Sequence, residues 1–312
     1  MHNSLKGPVF SVPMFFDGRD NIDYDSLGRY VETICKYDSI QAIYSMAYNT
    51  RYCQLTDVEV FQVNKFLYDI INKLGKLFIY GHPVNATSYH LKKYCELFSD
   101  LENSYISILY PERYFGITDA VLDYHLVPSE FGIPVIVHEM KLVSGFDGSL
   151  IDWPFELLDE VLSFDGVKGI KEDSKNDEIS KYILQKYSNK KDVIVAGGGK
   201  IRAMELRKHG LKTWLNGSLM MFPELTNYFC SAFDAHDDKL ISNYVDFVER
   251  PLFEKIVARY GWHVAHKAVL AVRQFCEYRE RSPMAKLSDS AIDGIRIEVA
   301  KIEENIERYL LV

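Results

Sequence analysis

The feature that most constrains the fold is a rhythm. Eight short apolar runs recur along the chain: "VFSVPMFF" (9–16), "IQAIYSM" (40–46), "KLFIYG" (76–81), "SYISILY" (104–110), "IPVIVHE" (133–139), "GVKGIK" (166–171), "DVIVAGG" (192–198) and "KTWLNGS" (212–218). They are rich in β-branched and aromatic residues, too short for helices, and mostly apolar on both faces, as strands of a buried parallel sheet must be. Between them lie stretches with helical apolar spacing. "LTDVEVFQVNKFLYDIINKL" opens on Thr56 with Glu59 three residues later, the pattern of a capping box. Strand–helix alternation repeated eight times predicts an α/β fold, a (β/α)8 TIM barrel, over residues 1–230. Residues 231–312 read as additional C-terminal helices packed on the barrel, with a minor role in covering its mouth or in oligomer contacts. A doubly wound sheet is the competing architecture. Its first turn usually carries a glycine-rich phosphate loop, and "VPMFFDGRDN" is not one.

Net charge over the 312 residues is −8, which argues against nucleic acid or an anionic membrane as partner. The opening "MHNSLKGPVFSVPMFF" lacks a basic region followed by a long apolar core. No apolar run approaches the roughly 18 residues of a membrane span. The five cysteines are odd in number and form no C-x-x-C. Buried, reduced thiols in a cytoplasmic protein are the expectation.

In a (β/α)8 barrel, chemistry sits at the C-terminal ends of the strands. Lys171 ends the sixth run. Alternation places Val167, Gly169 and Lys171 on one face, with the glycine leaving room beside the lysine. Lys171 is either a solvated lysine where a strand meets a polar loop, or an amine held in an apolar pocket, ready to attack a carbonyl. The same positional rule selects Tyr48, Asn49 and Thr50 after run two, Tyr110 after run four and His138 after run five. It also selects Gly197 and Gly198 after run seven, and Asn216 and Gly217 after run eight. His138 is either a packed histidine or a group that accepts and donates a proton near neutrality. Glu139 points to the opposite face and is expected to make a structural pair.

"AGGGK" (196–200) lacks the G-x-x-x-x-G-K-[ST] of a phosphate-binding loop. Its glycines are read as letting a ligand approach the backbone, with Lys200 or Arg202 as contacts for a distal anion. His263 and His266 stand three apart on a helical stretch without a third ligand at metal spacing, so no metal is expected. "EDSKNDE" (172–178) reads as a solvated loop and helix cap.

Taken in order, "GVKGIKEDS", "FSVPMFFDGRDNIDYDSLGRYVE", "YCQLTDVEV" and "RSPMAKLSD" resemble segments of the dihydrodipicolinate synthase / N-acetylneuraminate lyase family of class I aldolases. The resemblance spans essentially the whole chain. It implies that Lys171 forms a Schiff base with the keto carbon of pyruvate or a related 2-keto acid. It implies no cofactor, since the protonated imine is the electron sink, and a homo-oligomer, tetramer or dimer. Two loops depart from the family. Where the family has glycine–threonine–threonine–glycine–glutamate after the second strand, this chain has "AYNTRY" (47–52), with Tyr48 and Asn49 at the threonine positions. Where a tyrosine relays protons after the fifth strand, this chain has His138, and a carboxylate-binding arginine of the next loop falls at Val143. The second relay tyrosine corresponds to Tyr110 or Tyr114.

The resulting expectation is a cytoplasmic Schiff-base lyase or aldolase. Lys171 is its nucleophile and His138 and Tyr110 its proton carriers. Tyr48, Asn49, Thr50, Gly197, Gly198 and Asn216 hold the substrate. An imidazole near its ordinary pKa of ~6.5 would be partly protonated at working pH. A dehydratase of a deoxy-keto sugar acid using the same imine is the alternative, and a catalytically degenerate barrel with a binding or regulatory role is the rival from another class.

Overall fold

The computed structural model describes residues 4–83, 87–110, 118–140 and 152–310. Tyr114 and Val143 lie outside the described residues. Each of the eight apolar runs overlaps a strand, though β1 ends at Ser11, well short of the end of its run: β1 Gly7–Ser11, β2 Ala42–Tyr44, β3 Leu77–Gly81, β4 Ser104–Leu109, β5 Val135–Glu139, β6 Val167–Glu172, β7 Asp192–Val195 and β8 Thr213–Leu215. Each pairs in parallel with its neighbours, and β1 also pairs with β8, so the sheet closes into a barrel.

A helix follows each strand: α1 Tyr24–Cys35, α2 Asp57–Lys73, α3 Ser88–Phe98, α4 Thr118–Leu126, α5 Phe155–Ser163, α6 Asp177–Tyr187, α7 Gly199–Arg207 and α8 Thr226–Asp234. Their starts follow from side chains that satisfy free N–H groups. Asp23 accepts from the Ser26 N–H to cap α1, and Thr56 and Glu59 form the expected box at α2. Val9, Ala42, Tyr44, Ile79, Ile136 and Ile194 fill the barrel's interior, whereas the alternate residues of the same strands pack outward against the helices.

One irregularity decides which face carries the chemistry. Along the β5–β6 ladder, Val135 pairs with Val167 but Ile136 pairs with Gly169, so β6 holds one extra residue there. The bulge turns Val167 outward to join Val135 and Ile170 in the helix-facing core. Gly169 and Lys171 keep the common face predicted for them, and Val167 does not. Nor does Gly169 make room for the lysine: a Cβ there would lie 2.2 Å from the Asp192 carbonyl oxygen of β7. The glycine serves the close approach of two strands.

The boundary expected at residue 230 falls inside α8. Beyond it, α9 (Asp238–Tyr244) continues through two widened, π-type segments, Val245–Glu249 and Leu252–Val257, on either side of Pro251. The proline lacks the N–H that a regular turn would use, which accounts for the break in hydrogen-bond register there. Two further helices, Trp262–Val272 and Asp289–Tyr309, complete the extension. Among the cysteines, Cys35, Cys95 and Cys230 are buried as expected, but Cys53 is exposed. No helix among the described residues is long and apolar enough to cross a membrane.

Candidate active site

The β5–β6 register sets His138 directly opposite Lys171, both facing the barrel interior at its C-terminal end. Lys171 is 1% exposed, and its Nζ lies 2.6 Å from His138 Nε2. Two residues on, and on the same face, Asp173 places Oδ2 2.6 Å from the same nitrogen. His138 Nε2 and Asp173 Oδ2 are 3.5 Å apart, so the three groups form a compact triangle. The environment of the amine is thus ionic where an apolar pocket was expected.

Electrostatics follows from this geometry. Burial, and then the neighbouring Lys171, push His138 down to about 4. The imidazole is therefore neutral at working pH, contrary to the partly protonated ring expected from its ordinary value. Its Nε2 is an acceptor for a Lys171 N–H, which puts the ring proton on Nδ1. That atom has no hydrogen-bond partner among the described residues. Burial pushes Asp173 up, but Lys171 beside it holds the carboxyl well below the usual carboxylate range. It is an anion at working pH.

Asp173 was missed in the sequence because "EDSKNDE" reads as a solvated loop. Part of that reading holds, since Asn176 caps α6 by accepting from the Glu178 N–H. The first three residues instead belong to the interior, with Glu172 and Ser174 buried. Glu172 accepts from the Ser174 and Ser180 hydroxyls on the outer face of the sheet. Strand parity with Lys171 was the signal that singled out Asp173. Glu139 stands beside Glu172 in the ladder. It is fully buried, and neither of its carboxyl oxygens has a hydrogen-bond partner among the described residues, so the expected structural pair is not there. Burial and the charges of Glu172, Asp152 and Asp173 push it up to about 8.

A cavity of about 650 Å³ opens above Lys171. Tyr48, Asn49, Asp173, Gly197 and Gly198 line it along with the lysine. Other expected contacts are turned into scaffold. The Thr50 hydroxyl lies 2.7 Å from both the Val12 and Ser45 carbonyl oxygens. Asn216 is fully buried, and its Oδ1 accepts from the Ser11 hydroxyl, which in turn accepts from Asn49 Nδ2. Thr50 and Asn216 therefore brace the loop and do not line the cavity. Tyr110 is buried against Tyr124 and lies parallel to His125 with centroids 6.3 Å apart; it too is not part of the cavity wall. A tyrosine not foreseen, Tyr44, points into the barrel with its hydroxyl 2.6 Å from Ser107 Oγ. Burial holds this phenol above its usual range.

The glycine loop before α7 lines the cavity, and its backbone conformation has a further reason. Gly197, Gly198 and Gly199 all have positive φ, at 81°, 83° and 72°. Added Cβ atoms would meet Lys175, Arg202 and Glu249 respectively, so the space is filled by the protein's own side chains. Glu249 Oε2 accepts the Lys200 backbone N–H at 2.7 Å, in the first turn of α7. The favourable place for an anion is occupied from within. Arg202 is spent on Asp177, Ser180 and two carbonyls and does not line the cavity. Lys200 does line it, with Nζ donating to the Asn216 carbonyl at 2.9 Å. Among the described residues, no three His, Cys, Asp or Glu side chains gather to hold a metal ion.

A closed barrel with a strand-six lysine facing a strand-five histidine can be compared with solved structures. N-acetylneuraminate lyase from Proteus mirabilis superposes with a TM-score of 0.82 at 13% identity, covering 97% of this chain and 99% of its own. The fold is that of the N-acetylneuraminate lyases and dihydrodipicolinate synthases. The 4-hydroxy-tetrahydrodipicolinate synthase of Methylacidiphilum fumariolicum SolV gives a TM-score of 0.78 at 13% identity over 98% of both chains. The dihydrodipicolinate synthase of Aquifex aeolicus gives 0.76 at 16% identity, covering 97% of this chain and 98% of its own. The likeness includes the C-terminal helices, since it runs nearly end to end. No family model matches the sequence, and no curated protein does. With so few identical residues, the likeness lies in the architecture.

Proposed function

We propose that the chain is a Schiff-base-forming lyase or aldolase acting on pyruvate or a related 2-keto acid. The observation that carries this is the Lys171 amine, buried at the barrel mouth and held 2.6 Å from both a neutral imidazole and a carboxylate. A lysine must be neutral to attack a carbonyl, and His138 Nε2 is placed to take its proton. As the carbinolamine loses water, a cation develops on the same nitrogen, and Asp173 is its counter-ion. The iminium then accepts the electron pair of a breaking C–C bond, or loses a C3 proton to a base and becomes an enamine that attacks an aldehyde.

The carboxylate of the keto acid is assigned to the loop of Tyr48 and Asn49, both of which line the cavity beside Lys171. With Thr50 and Asn216 engaged elsewhere, this role rests on backbone N–H groups and Asn49. Tyr44 and Ser107, deeper in the barrel, are candidates for the proton path that Tyr110 was expected to supply.

The test is reductive trapping. Pyruvate with borohydride should add the mass of a reduced pyruvate adduct at Lys171, and Lys171→Ala should abolish it. Labelling that persists in Lys171→Ala, or fails with every 2-keto acid offered, removes the imine reading and leaves a binding barrel.

A further inference from the structure

The cavity is far larger than a pyruvyl group needs. At about 650 Å³ it has room for a substantial second group beyond the reacting carbons. Away from Lys171 its wall is made by Val195, Leu215, Val245, Phe253 and Trp262. The last two rings stack nearly parallel, 17° apart with centroids at 5.7 Å. The C-terminal extension therefore builds one side of the site, well beyond the minor covering role expected for it.

Polar side chains along this wall are already paired within the protein. Glu249 uses one oxygen for the Lys200 N–H and the other for the Ser218 hydroxyl, at 2.7 Å each. Ser218 also meets the Tyr244 hydroxyl at 2.9 Å. Lys175 and Arg250 reach the rim half-exposed and turned to Asp173 and Asp246. Three buried side-chain atoms among the described lining residues have no hydrogen-bond partner: Asn49 Oδ1, His263 Nδ1 and Trp214 Nε1. His263 packs edge-on against Tyr48, on the Asn49 side of the site, and burial pushes its imidazole down to about 4, so it is neutral. Trp214 has a single N–H, on a ring packed against Phe229 and Phe233. The far end thus has apolar surface and one spare donor. A polyhydroxylated chain there would leave hydroxyls unpaired, each at a cost of roughly tenfold or more in binding.

We infer that the group beyond the reacting bond is apolar, an aryl ring or a branched alkyl chain, and not a polyol. This rests on the imine reading of Lys171. The substrate is then a 4-hydroxy-2-keto acid bearing that group at C4. Its keto carbon condenses with Lys171 and loses one water. A base removes the C4 hydroxyl proton, the C3–C4 pair moves into the iminium, and an apolar aldehyde leaves. The enamine takes a proton at C3, and water hydrolyses the imine to pyruvate and free lysine.

The experiment is aldol addition of pyruvate to benzaldehyde and to D-erythrose, with pyruvate trapping run in parallel. Benzaldehyde should be favoured in kcat/KM by at least roughly 30-fold, and Trp262→Ala should cut that preference about tenfold. Normal trapping with a preference for erythrose, or with no turnover of either aldehyde, overturns the inference and spares the imine. A second measurement does not need the imine. Lys171→Ala should bind 4-phenyl-2-oxobutanoate at least tenfold more tightly than 4,5,6-trihydroxy-2-oxohexanoate. Equal or reversed affinities overturn the apolar assignment whatever trapping shows. Absent trapping with the expected affinities removes the imine reading and the cleavage built on it, and leaves an apolar binding site.

Discussion

Asp173 Oδ2 lies 2.6 Å from Lys171 Nζ, two residues along the same strand face. A buried anion beside the amine stabilises positive charge on that nitrogen, whether as ammonium or as iminium. Asp173→Asn keeps the shape and removes the charge. Single-turnover imine formation with pyruvate should slow by roughly 10²-fold. A rate equal to the parent's would reduce Asp173 to a salt-bridge partner.

His138 sets a prediction by its neutrality. With its pKa held to about 4, it contributes no titration between pH 5.5 and 9. Imine formation should show no limb near pH 6.5 that depends on this residue. His138→Phe should slow the step by roughly 10²–10⁴-fold at every pH in that window. A limb near 6.5 in the parent that vanishes in His138→Phe would contradict the buried, neutral imidazole.

Glu139 has the opposite consequence, for stability. Its folded value of about 8 is above that of a carboxyl in the unfolded chain. The folded protein then binds the extra proton between roughly pH 4.5 and 8, so stability is lost as pH rises through that window. Glu139→Gln, which cannot ionise, should be more stable than the parent at pH 8.5 by roughly 3–5 kcal/mol as an upper bound, and nearly equal at pH 4.5. Urea unfolding at the two pH values is the measurement. A gain of the same size at both would show that ionisation is not its source.

Gly169 is predicted to be the most sensitive small residue of β6. A methyl there meets the Asp192 carbonyl oxygen at 2.2 Å, in backbone that cannot move without parting two strands. Gly169→Ala should cost about 1–3 kcal/mol or more, read as a lowered Tm. An unchanged Tm would mean that the bulge beside it absorbs the strain.

Assembly is the remaining expectation carried by the family resemblance. A homo-oligomer, tetramer or dimer, should appear in sedimentation at micromolar concentration, and a monomer there would count against it.

The barrel was legible in the sequence because each strand buries both faces and each helix only one, so two periodicities alternate eight times along the chain. Lys171 and His138 were legible for the same reason: position at a strand end is a property of the pattern. What the pattern hid was whatever depended on a partner. Thr50 and Asn216 have the right chemistry in the right place, but backbone carbonyls and Ser11 claim them. The glycines of "AGGGK" look like an opening, yet Lys175, Arg202 and Glu249 occupy the space they leave. Val167 changed faces because a single inserted residue shifts parity, and no local composition marks it. The apolar far wall was hidden most completely, since Val245, Phe253 and Trp262 lie in a segment whose helical spacing fits a core face equally well.

Lys171, His138 and Asp173 all belong to β5, β6 and the turn just beyond, inside residues 138–173. The three groups around the buried amine therefore lie on one β–α–β unit, while Val245, Phe253 and Trp262 of the opposite cavity wall come from a distant part of the chain. On the reading proposed above, chemistry and selectivity are encoded on separate stretches of sequence. Exchange of the C-terminal helices between related barrels would carry one preference into another without disturbing the amine that does the work.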